Sequence, residues 1–136
     1  MAVRHPRWYT VASVLFGLLF VLTSVAFWAA PAQMVPSVFA SFDLTGQNLD
    51  ILSFALAGTN VRNLVLGGAI VFFALRDTRT LLLLLILRFL IECGDLIGNV
   101  ALNPDMGSVL PAFVVTMGWE VVLLVFGRKY LREHAR

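Results

Sequence analysis

The chain has 136 residues, 60% of them apolar and only 13% charged, with a mean hydropathy of +0.89. Soluble domains are nearer half apolar and a quarter charged, so this balance excludes a water-soluble globular fold. Crossing a hydrocarbon core of ~30 Å takes about 20 residues of helix, so four helices with short connections use the whole length and leave no room for a soluble domain.

The first apolar run covers residues 8–30, behind Arg4 and Arg7. A basic start, an apolar run and Ala30-Pro31-Ala32 resemble a cleavable signal peptide. At about 22 residues, however, the run exceeds the roughly 7 to 15 of a signal core, and the expectation is a retained helix. Thr10, Ser13, Gly17 and Ser24 give it a seam of small residues suited to close helix contact. Trp8, Tyr9 and Trp28 suit the two membrane interfaces.

The connection over residues 31–56 is the only long one. Pro31 and Pro36 break the chain, and Asn48 and Asp50 are helix-capping types. Val38, Phe39, Phe42 and Leu44 make it too apolar for a solvated loop, so it lies on the outer interface as an anchor or folds over the bundle as a lid. A cap at Asn48 or Asp50 would run the helix unbroken into the second span and place Arg62 deeper in the membrane.

The second span covers residues 57–75, and there Asn60, Asn63 and Gly67 share one face. Arg62 points nearly opposite to Asn60, which leaves two readings: it reaches round to the bundle, or it snorkels to the outer headgroups. The third span covers residues 81–100. Its Arg88, Glu92, Asp95 and Asn99 fall within an arc of roughly 60°, a polar stripe on an otherwise apolar helix. An ionisable group in a bilayer costs about 2.5 to 3.5 kcal/mol on insertion scales, so these groups must have partners or water. Cys93 is the sole cysteine, which excludes an intrachain disulfide and reads as an apolar filler.

The fourth span covers residues 109–127, with Phe113, Thr116, Met117 and Glu120 on one side. Trp119 sits too near the midplane to act as an interfacial anchor. His5 and His134 are terminal and far apart in sequence, so no metal site is expected.

The connections settle the topology. Arg4 and Arg7, Arg76 and Arg79, and Arg128, Lys129, Arg132 and Arg136 all fall on one side, while the other two connections hold only Asp43, Asp50 and Asp105. By the positive-inside rule both termini are cytoplasmic. The expected fold class is an all-α integral membrane four-helix bundle. The pI of about 9.2 reflects these basic anchors, and no nucleic-acid partner is needed to explain it.

Counting helical rise from the cytoplasmic ends puts Arg88 about 12 Å up and Glu120 about 11 to 14 Å up, with Arg62 and Asp95 near 20 Å and Glu92 between the two levels. Two pairings are therefore expected, Arg88 with Glu120 and Arg62 with Asp95. Three acids face two arginines within the spans, and arginine stays protonated. One carboxyl is left to hold a proton. A neutral acid beside a carboxylate is what acid/base chemistry needs and also what a proton-coupled carrier needs. A charge network that only fixes helix register needs no more than the same residues.

The run Gly58-Thr59-Asn60-Val61-Arg62-Asn63-Leu64-Val65-Leu66-Gly67, the turn Arg76-Asp77-Thr78-Arg79, and Arg88 through Gly94-Asp95 resemble small four-helix membrane proteins of the DoxX-like and related groups. The resemblance covers about residues 55–100, with Arg62, Asn63 and Asp95 as matched positions. It implies a compact four-helix bundle and no particular activity.

Two function classes follow. One is a membrane-embedded enzyme or binding protein for a lipophilic small molecule, acting without a cofactor by isomerisation, cyclisation or epoxide opening. Asp95 and Glu92 would be its acid and base, Arg62 or Arg88 would orient them, and Glu120, Asn63, Asn99, Asn60 and Trp119 would line the ligand site. The other is a proton-coupled carrier, functioning as a homodimer because one four-helix unit encloses little volume. The small multidrug carriers place their carboxylate in the first helix, and here that helix has no charge. An accessory subunit of a membrane complex is a third reading, in which the charges are intersubunit contacts.

Overall fold

A computed structural model describes residues 6–30, 47–102 and 110–133, and within these ranges the side chains at 47–49, 52, 53, 55, 99 and 102 are not described. The described chain forms four helices: α1 (Arg7–Ala29), α2 (Gln47–Ala74), α3 (Thr78–Leu102) and α4 (Leu110–Glu133). The lid or anchor at residues 31–46 lies outside the described residues, as does the side chain of Asn99.

Local chemistry sets the ends. α1 closes at Ala30, whose N–H still reaches the carbonyl of Ala26, while its φ of −148° has left the helical region, as expected before Pro31. α2 and α3 are joined by Leu75, Arg76 and Asp77 alone. Asp77 caps α3: its carboxylate accepts the N–H groups of Arg79 (3.2 Å) and Thr80 (3.1 Å) and the Thr80 hydroxyl. The hydroxyl of Thr80, followed by its N–H, holds the Asp77 carboxyl below the usual aspartate range. α2 starts at Gln47, ten residues before the expected span, so Arg62 has helix on both sides. The apolar stretch within α2, Leu56–Ala74, matches the expected one.

α1, α2 and α4 contain stretches long and apolar enough to cross a membrane. α3 does not meet that measure of composition, because every stretch of the needed length includes Arg88, Glu92 and Asp95. Its outward residues are nonetheless Leu83, Ile86, Leu87, Leu90 and Ile97, apolar like the outward faces of the other three helices. Charge is turned inward and hydrocarbon outward.

Neighbours pack in the ring order α1, α2, α3, α4 and back to α1, with α1 against α2 the most extensive contact. These packed pairs run antiparallel: Gly17 meets Gly67, Arg62 meets Asp95, Glu92 meets Thr116 and Tyr9 meets Leu123. The apolar core comprises Tyr9, Phe16, Phe20, Ile70, Ala74, Leu81, Leu85 and Leu123, mostly in the half near the α2–α3 turn.

The expected seam on α1 is where α2 comes closest. A Cβ on Gly17 would lie 2.7 Å from the carbonyl oxygen of Gly67, and one on Gly67 would lie 2.7 Å from that of Gly17. Both obstacles are backbone, so only glycine permits this crossing. Gly127 plays a similar part on α4, lying under the Tyr9 ring whose hydroxyl donates to the Leu123 carbonyl at 3.0 Å.

Gly17→Ala and Gly67→Ala should each lower stability by about 1 to 3 kcal/mol, the usual cost of overpacking, in denaturation followed by circular dichroism in detergent. Gly68→Ala is the control, because a Cβ there meets open space. Equal stability of the Gly17 and Gly68 variants would refute the close approach.

Candidate functional site

The ionisable residues of the helices separate into two layers. In the first, Arg62 of α2 grips Asp95 of α3 with both terminal nitrogens, Nη2 to Oδ2 at 2.5 Å and Nη1 to Oδ1 at 3.4 Å. Bidentate geometry of this kind is particular to the guanidinium fork. Of the two readings for Arg62, the structure takes the one in which it reaches round to the bundle. The pair is not sealed: the side chains keep 31% and 36% of their exposure.

The second layer lies deeper. Arg88 is 4% exposed, Glu92 4% and Glu120 0%. Arg88 Nη2 stands 3.5 Å from Glu92 Oε1, one helical turn along the same helix. Its guanidinium carbon lies 4.1 Å from the centre of the Phe20 ring of α1, a cation–π contact across the bundle. Thr116 of α4 donates to Glu92 Oε1. Glu120, one turn further along α4, lies against Glu92 and within electrostatic reach of Arg88. The expected pairing of Arg88 with Glu120 is thus partial, since the ion pair within 4 Å joins Arg88 to Glu92 on its own helix.

This deeper layer is poorly satisfied. Arg88 Nε and Nη1, Glu92 Oε2 and both carboxyl oxygens of Glu120 are buried without a hydrogen-bond partner among the described residues. Native interiors leave few such groups, and a cluster of them calls for a functional explanation. Glu92 and Glu120 adjoin in this layer, and one guanidinium balances only one of them.

Other sequence-predicted site residues fare differently. Asn60 turns its amide back to the Leu56 carbonyl of its own helix at 3.0 Å. Asn63 is half-buried, with its Oδ1 unpartnered, as is the Arg62 Nε in the same part of α2. Trp119 packs against Phe16 at 5.6 Å between ring centres, on the edge of the core. Asp95 and Glu92, expected to work together, are instead held by different partners in different layers. Among the described residues, no group of three or more His, Cys, Asp or Glu side chains could hold a metal ion.

Two residues outside the expected set complete the layer. Thr116 shares a face with Glu120, which was visible in the spacing, but its bond to Glu92 depends on how α4 faces α3. Phe20 lies between Gly17 and Ser24 on the α1 seam, and nothing in its spacing marks it as the partner of a cation.

Arg88→Leu should destabilise the bundle by about 3 to 5 kcal/mol, because it strands buried carboxyls. The double variant Arg88→Leu/Glu92→Leu should recover much of that loss in the same denaturation assay. Additive losses would show that the two side chains are not coupled. Arg62→Leu should cost less than Arg88→Leu, because Asp95 keeps partial access to its surroundings.

Compared with family profiles, curated proteins and solved structures, the chain matches none.

Proposed function

We propose that this chain is an integral membrane protein, with both termini cytoplasmic, that binds a lipophilic small molecule in its bundle and exchanges protons with it. One observation carries the reading: the fully buried carboxyl of Glu120, which meets no donor among the described residues, beside the Arg88–Glu92 pair. Such a group in an apolar interior is costly to stability, which supports a functional role for it.

Geometry favours Glu92 and Glu120 as the acid–base couple over Glu92 and Asp95, whose carboxylate is held by Arg62. Glu92, held by Arg88 and Thr116, is the carboxylate that takes a proton. Glu120 is the neutral acid that gives one. Removing a proton at one carbon and returning one at another is an isomerisation, neutral in charge and oxidation state, and it needs no cofactor. Cyclisation and epoxide opening begin with the same donation from Glu120. The half-exposed Arg62–Asp95 pair and Asn63 would receive a polar group of the same ligand.

Topology is tested by cysteine labelling. In a Cys93→Ala background, Arg79→Cys should react with a membrane-impermeant maleimide only after the cells are opened, and labelling in intact cells would invert the orientation.

The ligand is tested by native mass spectrometry after gentle detergent extraction. A stoichiometric lipophilic compound should accompany the wild-type protein and be lost from Glu120→Gln. An empty homodimer would overturn the reading in favour of a carrier, and a retained protein partner would overturn it in favour of an accessory subunit.

A further inference from the structure

An isomerase that uses two carboxyls ends each turnover with the proton on the wrong one. That requirement turns attention to Thr116, the residue that joins the deeper layer to α4. Its Oγ1 lies within hydrogen-bond distance of three acceptors: Glu92 Oε1, the Ala112 carbonyl at 3.0 Å and the Phe113 carbonyl at 3.2 Å. A hydroxyl has one hydrogen to give and also lone pairs to accept with. It cannot donate to Glu92 and to its own helix through the same hydrogen, so its orientation depends on whether Glu92 needs a donor or an acceptor.

We propose that Glu92 and Glu120 hold a single exchangeable proton between them, and that the Thr116 hydroxyl selects which of them carries it. With the proton on Glu120, Glu92 is a carboxylate and accepts from Thr116. With the proton on Glu92, as turnover leaves it, the Glu92 carboxyl is turned so that its protonated oxygen donates to Thr116 Oγ1, and the hydroxyl hydrogen points to the Ala112 carbonyl. For the return, the O–H bond at Glu92 breaks and an O–H bond forms at Glu120. Arg88 remains cationic throughout, so the layer is neutral in both states: one guanidinium, one carboxylate and one carboxylic acid.

Three observations support this. Glu120 is 0% exposed, and its carboxyl adjoins that of Glu92, two acceptors that bond only when one of them carries a proton. Glu92 Oε1 is committed to Arg88 and Thr116, while its buried Oε2 meets no donor among the described residues. Among the described residues the other helices bring no competing charge: Phe20 of α1 covers Arg88, and Arg62 of α2 is engaged by Asp95. In this account Thr116 is a positioning residue, acting through Glu92. The inference rests on the acid/base part of the proposed function, not on the identity of the ligand.

Infrared spectroscopy of the full-length protein in phospholipid vesicles, in H2O and D2O, tests it. Expected is the carbonyl stretch of a protonated carboxylic acid at neutral pH, moving to lower frequency in D2O. Glu120→Gln should abolish it, and Asp95→Asn should leave it in place. Thr116→Val should shift its frequency, and Thr116→Ser should restore the wild-type position. Glu92→Gln provides a second route should Glu120→Gln fail to fold: it removes the shared carboxylate and should likewise change the band. No carbonyl band in the wild type, or one unaffected by the glutamate variants, overturns the shared proton. A band insensitive to Thr116→Val overturns the role of the hydroxyl. The band is read without regard to bound compound, so a clear band in a protein with no ligand would retain this inference while the ligand reading falls.

Discussion

A guanidinium that cannot lose its proton, placed in the interior of an apolar bundle, constrains nearly everything around it. Arg88 needs counter-charge and a polarisable surface, and these come from three helices. Glu92 follows one turn later on α3, Glu120 approaches on α4, and the face of the Phe20 ring of α1 meets the cation. Because the outward faces of all four helices are apolar, the polar stripe of α3 has only the interior to face. The rotation of α3 is therefore set by charge, and the Leu and Ile residues that remain fall outside by default.

The other three helices are positioned by shape. Gly17 and Gly67 let α1 and α2 approach until each backbone carbonyl occupies the space where the other helix would carry a Cβ. Tyr9 lies across Gly127 and ties α1 to α4 through the Leu123 carbonyl. The apolar core near the α2–α3 turn is thus closely packed, and the polar layers lie above it. A stable base beneath a strained polar centre is a common division of labour, since functional groups often cost stability that packing elsewhere offsets.

The two layers differ in a way that bears on function. Arg62 and Asp95 satisfy each other through a forked pair and retain some exposure, so they approach a neutral, self-contained unit. The deeper layer holds an odd number of ionisable groups and several atoms without a hydrogen-bond partner among the described residues. On the proposed reading a protonated carboxyl removes the excess, and a proton held for that reason can be given away when a ligand or a neighbouring group offers a better place for it.

Much of this was legible in the residues alone. The four helices follow from the lengths of the apolar runs, and the two levels of charge follow from counting 1.5 Å per residue along antiparallel helices. The seam containing Gly17 and the face containing Gly67 were each visible from spacing, because both properties repeat with the helical period. The early start of α2 at Gln47 was visible only as an alternative, since capping residues at Asn48 and Asp50 permit a helix there without requiring one. What tertiary structure alone decided is rotation and partnership. Whether Arg62 reached Asp95 or the headgroups, whether Arg88 met Glu92 or Glu120 first, and that Thr116 and Phe20 would complete the layer all depend on the angle at which each helix faces its neighbours. Depth is a property of one helix and can be counted along it; facing is a property of two, and no single run of residues contains it.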